Sequence, residues 1–341
     1  MIAACGPRAA PVPPAAPARI AIVATERAAG SAQLVVLDEH GDRQFTLVQP
    51  ASGIARDTHP AISPDAKWIV FASSRGRQLS ETSLWIAPLQ PDAVPAQLTA
   101  GAWIDAHPTW TPDGKAIVFA STRADTFDLY RLAIAGGRAA GEPEVLTHGA
   151  GHEITPTVAA DGSIVYAEVT AKQGGAVDSH LEERAPDGTI EQLTAGPADS
   201  SPALSPDGAT LAFVRPVDRG TRPDADLWIV PRGGDTATRL VDLPMTDEGG
   251  PVWSRDGRFV FATSLLRGSQ GQPIFSSVIV VDTQRAPHTA RMLEDRVGAI
   301  ARLTPAIGAV PLDARALDAD PEYLSELARI TTQAIHEEQR Q

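Results

Sequence analysis

Short apolar runs alternate with polar turns along most of this chain. One stretch shows the pattern clearly, with apolar runs at 59–63, 68–72, 84–87 and 96–99. Runs this short, bounded by turn residues and containing β-branched and aromatic side chains, favour strands over helices. A Pro-Asp-Ala or Pro-Asp-Gly turn separates the first two runs, because Pro presets φ, Asp bonds its own backbone and Gly tolerates positive φ. The pattern predicts four short antiparallel strands per unit.

The first run belongs to a phrase that recurs five times. It reads HPAISPDAK, HPTWTPDGK, TPTVAADGS, SPALSPDGA and GPVWSRDGR, beginning at His59, His107, Thr155, Ser201 and Gly250. Its opening prolines, at positions 60, 108, 156, 202 and 251, are 48, 48, 46 and 49 residues apart. A constant period of this size indicates one supersecondary unit used repeatedly. Four strands in roughly 45 residues are typical of a β-propeller blade.

The N-terminal part carries a further unit that lacks its first strand. Runs at 19–24, 34–37 and 45–48 match the later strands, and 303–308 resembles a first strand. The alternative is that 302–304 forms a fourth strand like 97–99. The predicted fold class is therefore all-β: a six-bladed β-propeller of four-stranded antiparallel blades, closed by both termini so that no sheet edge stays open. From Asp320 the apolar positions recur with a helical period, behind an N-cap and Pro321, which predicts a C-terminal α-helix.

Three segments follow from these patterns. They are a Pro/Ala-rich N-terminal tether (1–18), the propeller (19–310), and a linker with an amphipathic helix (311–341). In the tether, Ile-Ala-Ala-Cys-Gly around Cys5 resembles a bacterial lipobox, so we expect lipidation at Cys5 and a semi-stiff spacer after it. Only four residues precede Cys5 where a basic and apolar leader belongs. An incidental cysteine in an ordinary N-terminal extension is the alternative.

Charge and composition exclude several classes. The net charge of −13 argues against nucleic-acid binding, which needs a basic face, and against adhesion to anionic lipid by charge alone. No apolar run approaches the roughly 20 residues of a membrane-spanning helix, so the expected membrane contact is a lipid anchor. The single Cys excludes an internal disulfide framework and a multi-Cys zinc site.

The repeats resemble those of TolB-type, WD40-like (PD40) β-propellers. The shared signature is Pro, an apolar residue, Ser-Pro-Asp-Gly, an apolar strand, Ser-Arg and a later aromatic-aliphatic strand, and residues 108–114, 121–123 and 129–130 carry it most fully. The resemblance implies a propeller on the periplasmic side of a bacterial cell envelope that binds other proteins. Residues 1–18 leave no room for the N-terminal domain of TolB, and the hydrolase domain of other members is not found after the propeller. With the lipobox-like string at Cys5, we therefore expect a lipoprotein that lacks both domains. Fold resemblance alone does not establish function.

An acid stands three residues before the phrase proline in every copy. The acids are Asp57, Asp105, Glu153, Asp199 and Glu248, and the aligned residue of the sixth unit is Arg302. At the start of each innermost strand they would form a ring at one mouth of the channel and focus negative potential there. Such a ring would bind a protein or peptide partner through a basic segment. The alternative is that each acid caps backbone amides or pairs with an arginine such as Arg27, Arg75 or Arg123.

Two copies of the phrase also suggest a metal site. They read Asp-x-His, at Asp57 with His59 and at Asp105 with His107. Carboxylates and imidazoles from adjacent blades could hold a divalent cation. The alternative is local hydrogen bonding by each histidine. No other cofactor is expected, and no catalytic residue is predicted, because the sequence has no Gly-x-Ser-x-Gly, no phosphate loop and no His-Glu-x-x-His.

The last candidate is a set of long loops at 170–178, 217–226 and 265–276, on the same face as the acids. Variable loops on one face of a repeat scaffold are a usual place for binding, and neutral drift is the alternative. Together these observations predict a monomeric, non-enzymatic, envelope-anchored propeller that binds a protein or peptide at its channel mouth. A metal-containing propeller enzyme or a glycan-binding protein, with its site in the central channel, is the alternative.

Overall fold

The computed structural model describes a chain built from strands. The described residues are 22–28, 31–38, 43–50, 55–78, 80–172, 177–196, 198–219, 223–243, 245–268, 273–286, 288–293 and 306–307. Within these ranges every regular element is a strand, and none contains a helix long and apolar enough to cross a membrane. The predicted tether with Cys5, the predicted C-terminal helix and Arg302 lie outside the described residues.

The strands follow the predicted order along the chain, and we name each blade after the acid of its phrase. The chain begins with β1 (Ile22–Ala28), β2 (Ser31–Leu37) and β3 (Arg43–Thr46). The Asp57 blade contains β4 (Asp57–Ile62), β5 (Trp68–Ser73), β6 (Ser83–Pro88) and β7 (Ala96–Gln97). The Asp105 blade contains β8 (Asp105–Trp110), β9 (Ala116–Ala124), β10 (Thr126–Ala135), β11 (Arg138–Ala139) and β12 (Glu144–Val145).

The second half of the chain continues this pattern. The Glu153 blade contains β13 (His152–Val158), β14 (Ile164–Ala171), β15 (Val177–Arg184) and β16 (Ile190–Gln192). The Asp199 blade contains β17 (Ser200–Leu204), β18 (Thr210–Asp218), β19 (Pro223–Pro231) and β20 (Thr238–Arg239). The Glu248 blade contains β21 (Thr246–Trp253), β22 (Phe259–Arg267), β23 (Pro273–Asp282) and β24 (Ala290–Met292), and β25 (Ala306–Ile307) comes last.

Each of the five blades is an antiparallel sheet whose strands pair in chain order, with β11 and β12 both pairing with β10. Strands β1 to β3 form a further sheet, which we call the composite sheet. Its fourth strand is β25, through pairing of Ile22 with Ile307, so the predicted contribution from the far end of the chain is present. β25 also lies against β4 and β21. In its described residues the structure therefore shows an all-β propeller with five complete blades, rather than the six predicted, together with the composite sheet.

The turn between the first two strands of a blade has the predicted chemistry. In the Asp57 blade, Asp65 Oδ1 accepts hydrogen bonds from Ser63 Oγ at 2.7 Å and from the Lys67 amide at 3.1 Å. The residue directly after the turn Asp has a left-handed backbone: Ala66 has φ 56° after Asp65, and Gly114 has φ 67° after Asp113. The turn side chain thus replaces the backbone partners that a strand would supply.

Each first strand is interrupted by a bulge at the phrase proline. The ladder of β4 with β5 shifts register between Thr58 and Ala61, and the other four blades shift at the equivalent place. The residue before the proline has φ between 50° and 59° in all five blades. Proline offers no amide to the ladder, so a bulge is where a sheet tolerates it.

Neighbouring blades pack through their buried middle strands. One core cluster joins Val70 and Leu84 of the Asp57 blade to Phe119 and Leu132 of the Asp105 blade. Hydrogen bonds reinforce two of these contacts: Trp110 Nε1 donates to the carbonyl of Ala61 at 3.1 Å, and Trp253 Nε1 donates to that of Ala203 at 2.9 Å. A blade cannot bury both of its faces alone, and stacking against the next blade buries them.

Candidate functional site

The first strands of the five blades surround a central cavity of about 540 Å³. Its wall is made by the phrase: the five prolines, the residue before each and the residues that follow toward the turn. This volume lies within the range of small-molecule and peptide pockets. The described residues that line it include no Asp, Glu, Lys or Arg.

One end of the cavity is polar. We call the residue before each phrase proline a member of the collar, which consists of His59, His107, Thr155, Ser201 and Gly250. All five line the cavity, and the four non-glycine members have left-handed φ values of 50° to 52°. Left-handed backbone at such residues costs about 1–3 kcal/mol each, and it is found mostly where a function needs it.

The collar brings together side chains from different blades. The rings of His59 and His107 are in contact, with centroids 4.1 Å apart and planes inclined by 55°. His107 Nδ1 and Thr155 Oγ1 are buried, and neither has a hydrogen-bond partner among the described residues. Burial, together with the nearby His59, holds the pKa of His107 well below its usual value. His107 is therefore neutral at pH 7, because desolvation disfavours the imidazolium.

The other end of the cavity is mainly apolar, although Thr109 and Thr157 also line it. Beyond the prolines its wall is formed by side chains next to the turns, among them Ile62, Trp110, Val158, Leu204 and Trp253. The indole N–H groups of both tryptophans are engaged with backbone carbonyls, so the rings present apolar surface. The cavity is thus amphipathic along its length.

The predicted ring of free carboxylates at the channel mouth is wrong. Asp57, Asp105 and Asp199 are 0% exposed, Glu153 is 3% exposed and Glu248 is 2% exposed, and none of the five lines the cavity. The acids do stand at or near the start of the first strands, as predicted. The bulge that follows turns the collar, rather than the acids, toward the cavity.

Three of the acids are neutralised by arginine, which was the alternative interpretation. Asp57 pairs with Arg75, whose Nη2 lies 2.5 Å from Oδ2 and whose Nε lies 3.1 Å from Oδ1. Asp105 pairs with Arg123 at 2.9 Å. Asp199 binds Arg215 through two hydrogen bonds of 2.6 and 2.7 Å. Sequence reasoning named the first two arginines and missed Arg215, which comes 16 residues after its acid, whereas Arg75 and Arg123 come 18 residues after theirs.

Aromatic rings flank each of these arginines. The guanidinium of Arg123 lies 4.6 Å from the ring centre of Tyr130 and 5.3 Å from that of Phe119. Arg75 and Arg215 stack in the same way, each with one Phe and one Trp. Cation–π contacts hold the guanidinium in place while it neutralises the buried acid. These acids therefore form a structural layer outside the cavity.

The two glutamates lack such a partner. Glu153 faces Glu168 across the ladder, and Thr147 Oγ1 donates to it at 3.3 Å. Glu248 accepts hydrogen bonds from Thr246 at 2.7 Å and Ser264 at 3.0 Å, while its buried Oε2 finds no partner in the described part of the chain. Burial, helped by the charge of Asp128, raises the pKa of Glu153 to about 7. Burial likewise raises the pKa of Glu248 to about 8.

The predicted metal ligands are not assembled. The carboxylates of Asp57 and Asp105 are occupied by Arg75 and Arg123, so only the two histidines of the predicted set meet. In the part of the chain that the structure describes, no three His, Cys, Asp or Glu side chains are grouped to hold a metal ion.

The remaining candidates are the long loops. They extend from hairpins whose strands pair to Ala171–Val177, Asp218–Pro223 and Arg267–Pro273, on the acid side of the bulge. Positions 173–176, 220–222 and 269–272 at the tips lie outside the described residues. Among the residues that line the cavity, the buried polar atoms without a partner in the described structure are His107 Nδ1 and Thr155 Oγ1, both in the collar. A signal for them was present, since every collar residue immediately precedes a phrase proline.

Comparison with solved structures shows the same fold. TolB from Acinetobacter baumannii matches with a TM-score of 0.64 and 18% identity over 85% of this chain, which spans 66% of that protein, just under two thirds. A chain of a nidogen/laminin complex matches with a TM-score of 0.60 and 11% identity, covering 85% of this chain and 97% of its own. Oligogalacturonate lyase in complex with manganese matches with a TM-score of 0.51 and 15% identity, covering 81% and 74%. At these identities the likeness concerns the fold alone.

Sequence comparison is more specific. None of the curated proteins matches the chain. The sequence pattern of the TolB beta propeller domain (PD40) matches residues 77–255, just over half of the chain. The match runs from the outer strands of the Asp57 blade to the first strand of the Glu248 blade, and it contains the three blades between them whole. The chain therefore belongs to the TolB β-propeller (PD40) family.

Proposed function

We propose that this protein is a non-enzymatic binding propeller that holds a peptide segment of a partner protein in its central cavity. The observation that carries the proposal is the cavity itself, whose wall changes from a polar collar to an apolar end. An extended peptide suits such a wall, because its backbone can hydrogen-bond at the collar while its side chains contact the apolar end. A basic partner segment, expected from the sequence, is not part of the proposal, because the acids are buried and three of them are paired with arginine.

Family membership and fold neighbours support a protein partner in general terms. One neighbour is a TolB, and another comes from a complex of nidogen with laminin. We place the protein on the periplasmic side of the bacterial envelope as a monomer, on the strength of the family and of the lipobox-like string at Cys5. Metabolic labelling with an alkyne fatty acid tests the anchor: wild type should take up the label and Cys5→Ser should not.

The proposed architecture is a six-bladed ring in which the composite sheet is the sixth blade. Its support is the position of β25, which pairs with β1 and lies against the first strands of the Asp57 and Glu248 blades. Deleting residues 303–310 should then destabilise the whole ring, because the blades on either side lose a neighbour. A truncated protein with unchanged thermal stability would contradict this arrangement.

Binding in the cavity is tested by filling it. Thr109→Phe puts a ring on the cavity wall, where no hydrogen bond of the Thr109 side chain is lost among the described contacts. Thr238→Phe makes the same change on the exposed edge strand β20 and is the matched control. Proteins captured from envelope extracts by photo-crosslinking should be retained by wild type and Thr238→Phe and lost with Thr109→Phe. Unchanged capture by a folded Thr109→Phe protein would refute binding in the cavity.

A second candidate function is a metal-dependent enzyme or glycan-binding protein that uses the same channel. The contact between His59 and His107 favours it, since imidazole suits several transition metals. It predicts stoichiometric metal in the purified protein and loss of that metal in His59→Ala with His107→Ala. Metal-free protein whose stability and binding do not respond to added Zn²⁺ or Mn²⁺ would contradict it.

A further inference from the structure

The collar contains buried polar atoms that the protein itself does not satisfy. His107 Nδ1 and Thr155 Oγ1 are on neighbouring blades, both residues line the cavity, and neither atom has a hydrogen-bond partner among the described residues. Native proteins leave few buried polar groups unpaired, and the exceptions often mark sites where something else binds. The left-handed backbone at both residues adds a second indication, because strain of this kind collects at ligand sites.

The chemistry of the collar selects an acceptor. A neutral imidazole has one N–H to donate, and Thr155 and Ser201 each offer a hydroxyl, so the collar brings donor-bearing side chains of four blades to one cavity. The described cavity wall contains no carboxylate that would compete. Of the nearby acids, Asp57 and Asp105 are paired with arginines, whereas Glu153 and Glu248 are buried beside hydroxyl donors. A carboxylate has about four lone-pair sites and only accepts, which matches four donors from four blades.

The histidine pair adds a reason for an anion in particular. Two imidazole rings with centroids 4.1 Å apart cannot both be in the positively charged imidazolium form without a counter-charge. An anion at the collar supplies that charge, and a hydrogen bond between imidazolium and carboxylate is roughly twice as strong as one between neutral groups. A metal ion would find only two good ligands, because hydroxyl groups are poor ones.

The lining of the rest of the cavity indicates what kind of group the anion is attached to. On the turn side of the prolines the wall is mainly apolar, with Ile62, Val158, Leu204 and Trp253 among its side chains, although Thr109 and Thr157 also line it. A ligand that fills the cavity therefore has a charged head at the collar and an apolar body beyond it.

We infer that the collar is a subsite for a carboxylate carried on an apolar body. The inference rests on the proposed function, since it names the chemical group by which a ligand in the cavity is recognised. Two sources share this chemistry: the C-terminal carboxylate of a peptide with apolar last residues, and a free alkanoate.

Isothermal titration of the full chain with three probes tests the inference. The probes are a pool of hexapeptides ending in Leu or Val with a free carboxylate, the same pool with C-terminal amides, and sodium octanoate. The free-acid peptides should bind, and amidation should weaken binding at least tenfold. Binding of octanoate alone would support the subsite and assign the small molecule as its source. Equal affinity for acid and amide, or binding of none of the probes, would overturn the inference.

Variants locate the subsite within the cavity. Thr155→Ala and His107→Gln should each weaken the free-acid peptides about tenfold and leave the amides unchanged. His148→Gln, at an exposed histidine outside the cavity, is the matched control and should bind like wild type. If His107→Gln fails to fold, Thr155→Ala and the comparison of acid with amide still decide the matter. Wild-type binding by folded Thr155→Ala and His107→Gln would overturn the assignment to the collar.

Failure of the subsite and failure of the proposed function give different results. If acid and amide bind equally and Thr109→Phe abolishes both, peptide binding in the cavity stands and the carboxylate subsite falls. If octanoate binds in a Thr155-dependent manner and no peptide does, the carboxylate subsite is supported and the proposed peptide binding is refuted.

Discussion

Arg75 offers the most direct test of the acid–arginine layer. The Asp57 carboxylate is completely buried and accepts hydrogen bonds from Arg75, from Ser73 Oγ at 2.5 Å and from Gln49 Nε2 at 2.8 Å. Arg75→Leu leaves this carboxylate with two neutral donors and no cation. Leu266 stands at the equivalent place in the Glu248 blade, two residues beyond the partner of the acid, so the fold accepts a leucine there.

The expected loss of stability is large because the Asp57 carboxylate stays buried without a cationic partner. Removing one partner of a buried ion pair typically destabilises a protein by about 3–5 kcal/mol. The cation–π contacts of Arg75 with Phe71 and Trp85, at 5.5 and 5.9 Å, contribute roughly a further 0.5–1 kcal/mol, which burial of the leucine side chain offsets in part. A loss of this size lowers the melting temperature by about 6–15 °C.

Two controls separate the stranded charge from the lost packing. In Asp57→Asn with Arg75→Leu both charges are gone, and we expect stability within about 1–2 kcal/mol of wild type. Arg131→Leu removes an exposed ion pair with Glu144, at 3.6 Å, and should change stability by less than about 1 kcal/mol. Urea titration followed by tryptophan fluorescence measures all three. A double variant as unstable as Arg75→Leu, or an Arg75→Leu protein that loses less than about 1 kcal/mol, would refute the reasoning.

Three further predictions concern stability. Burial raises the pKa of Glu248 from 4.5 to about 8, so its contribution to the free energy of unfolding is complete below pH 4.5 and is lost as the pH rises to 8. Over that window the stability of Glu248→Gln should rise by up to a few kcal/mol relative to wild type, and parallel pH–stability curves would contradict this. Trp253→Phe leaves the Ala203 carbonyl without its donor and should cost about 1–3 kcal/mol in urea titration, whereas an unchanged midpoint would mean that the bond contributes nothing. Ala66→Gly should raise stability by about 0.5–1 kcal/mol, because Ala66 is left-handed where Gly114 stands in another copy; a lower melting temperature would contradict this.

The blades could be predicted from the sequence because their signals are local. The turn at Asp113 and Gly114 needs only the residues beside it, and the same is true of each apolar run between turns. A period repeated five times leaves little freedom in how such units stack. The pairing of β1 with residues 306–307 could also be anticipated, because β1 to β3 lacked a first strand.

The orientation of the polar residues could not be predicted in the same way. Asp57 and His59 are two residues apart and would share one face of a regular strand. The bulge at Pro60 breaks that alternation, so His59 lines the cavity while Asp57 turns to Arg75. A register shift of one residue moves the following side chains to the opposite face of the strand. The local sequence pattern does not show which residues before and after the proline change face.

The sequence by itself determined the turns, the strands, the period and the family, because each depends on residues close together in the chain. Only the tertiary structure decided which polar groups are satisfied. His59 and His107 come from different blades and meet in the collar, whereas the carboxylates of Asp57 and Asp105 are paired with Arg75 and Arg123. Burial and hydrogen-bond partners depend on what the neighbouring strand or blade supplies. For that reason the acids proved structural, and the site moved to the residues beside the prolines.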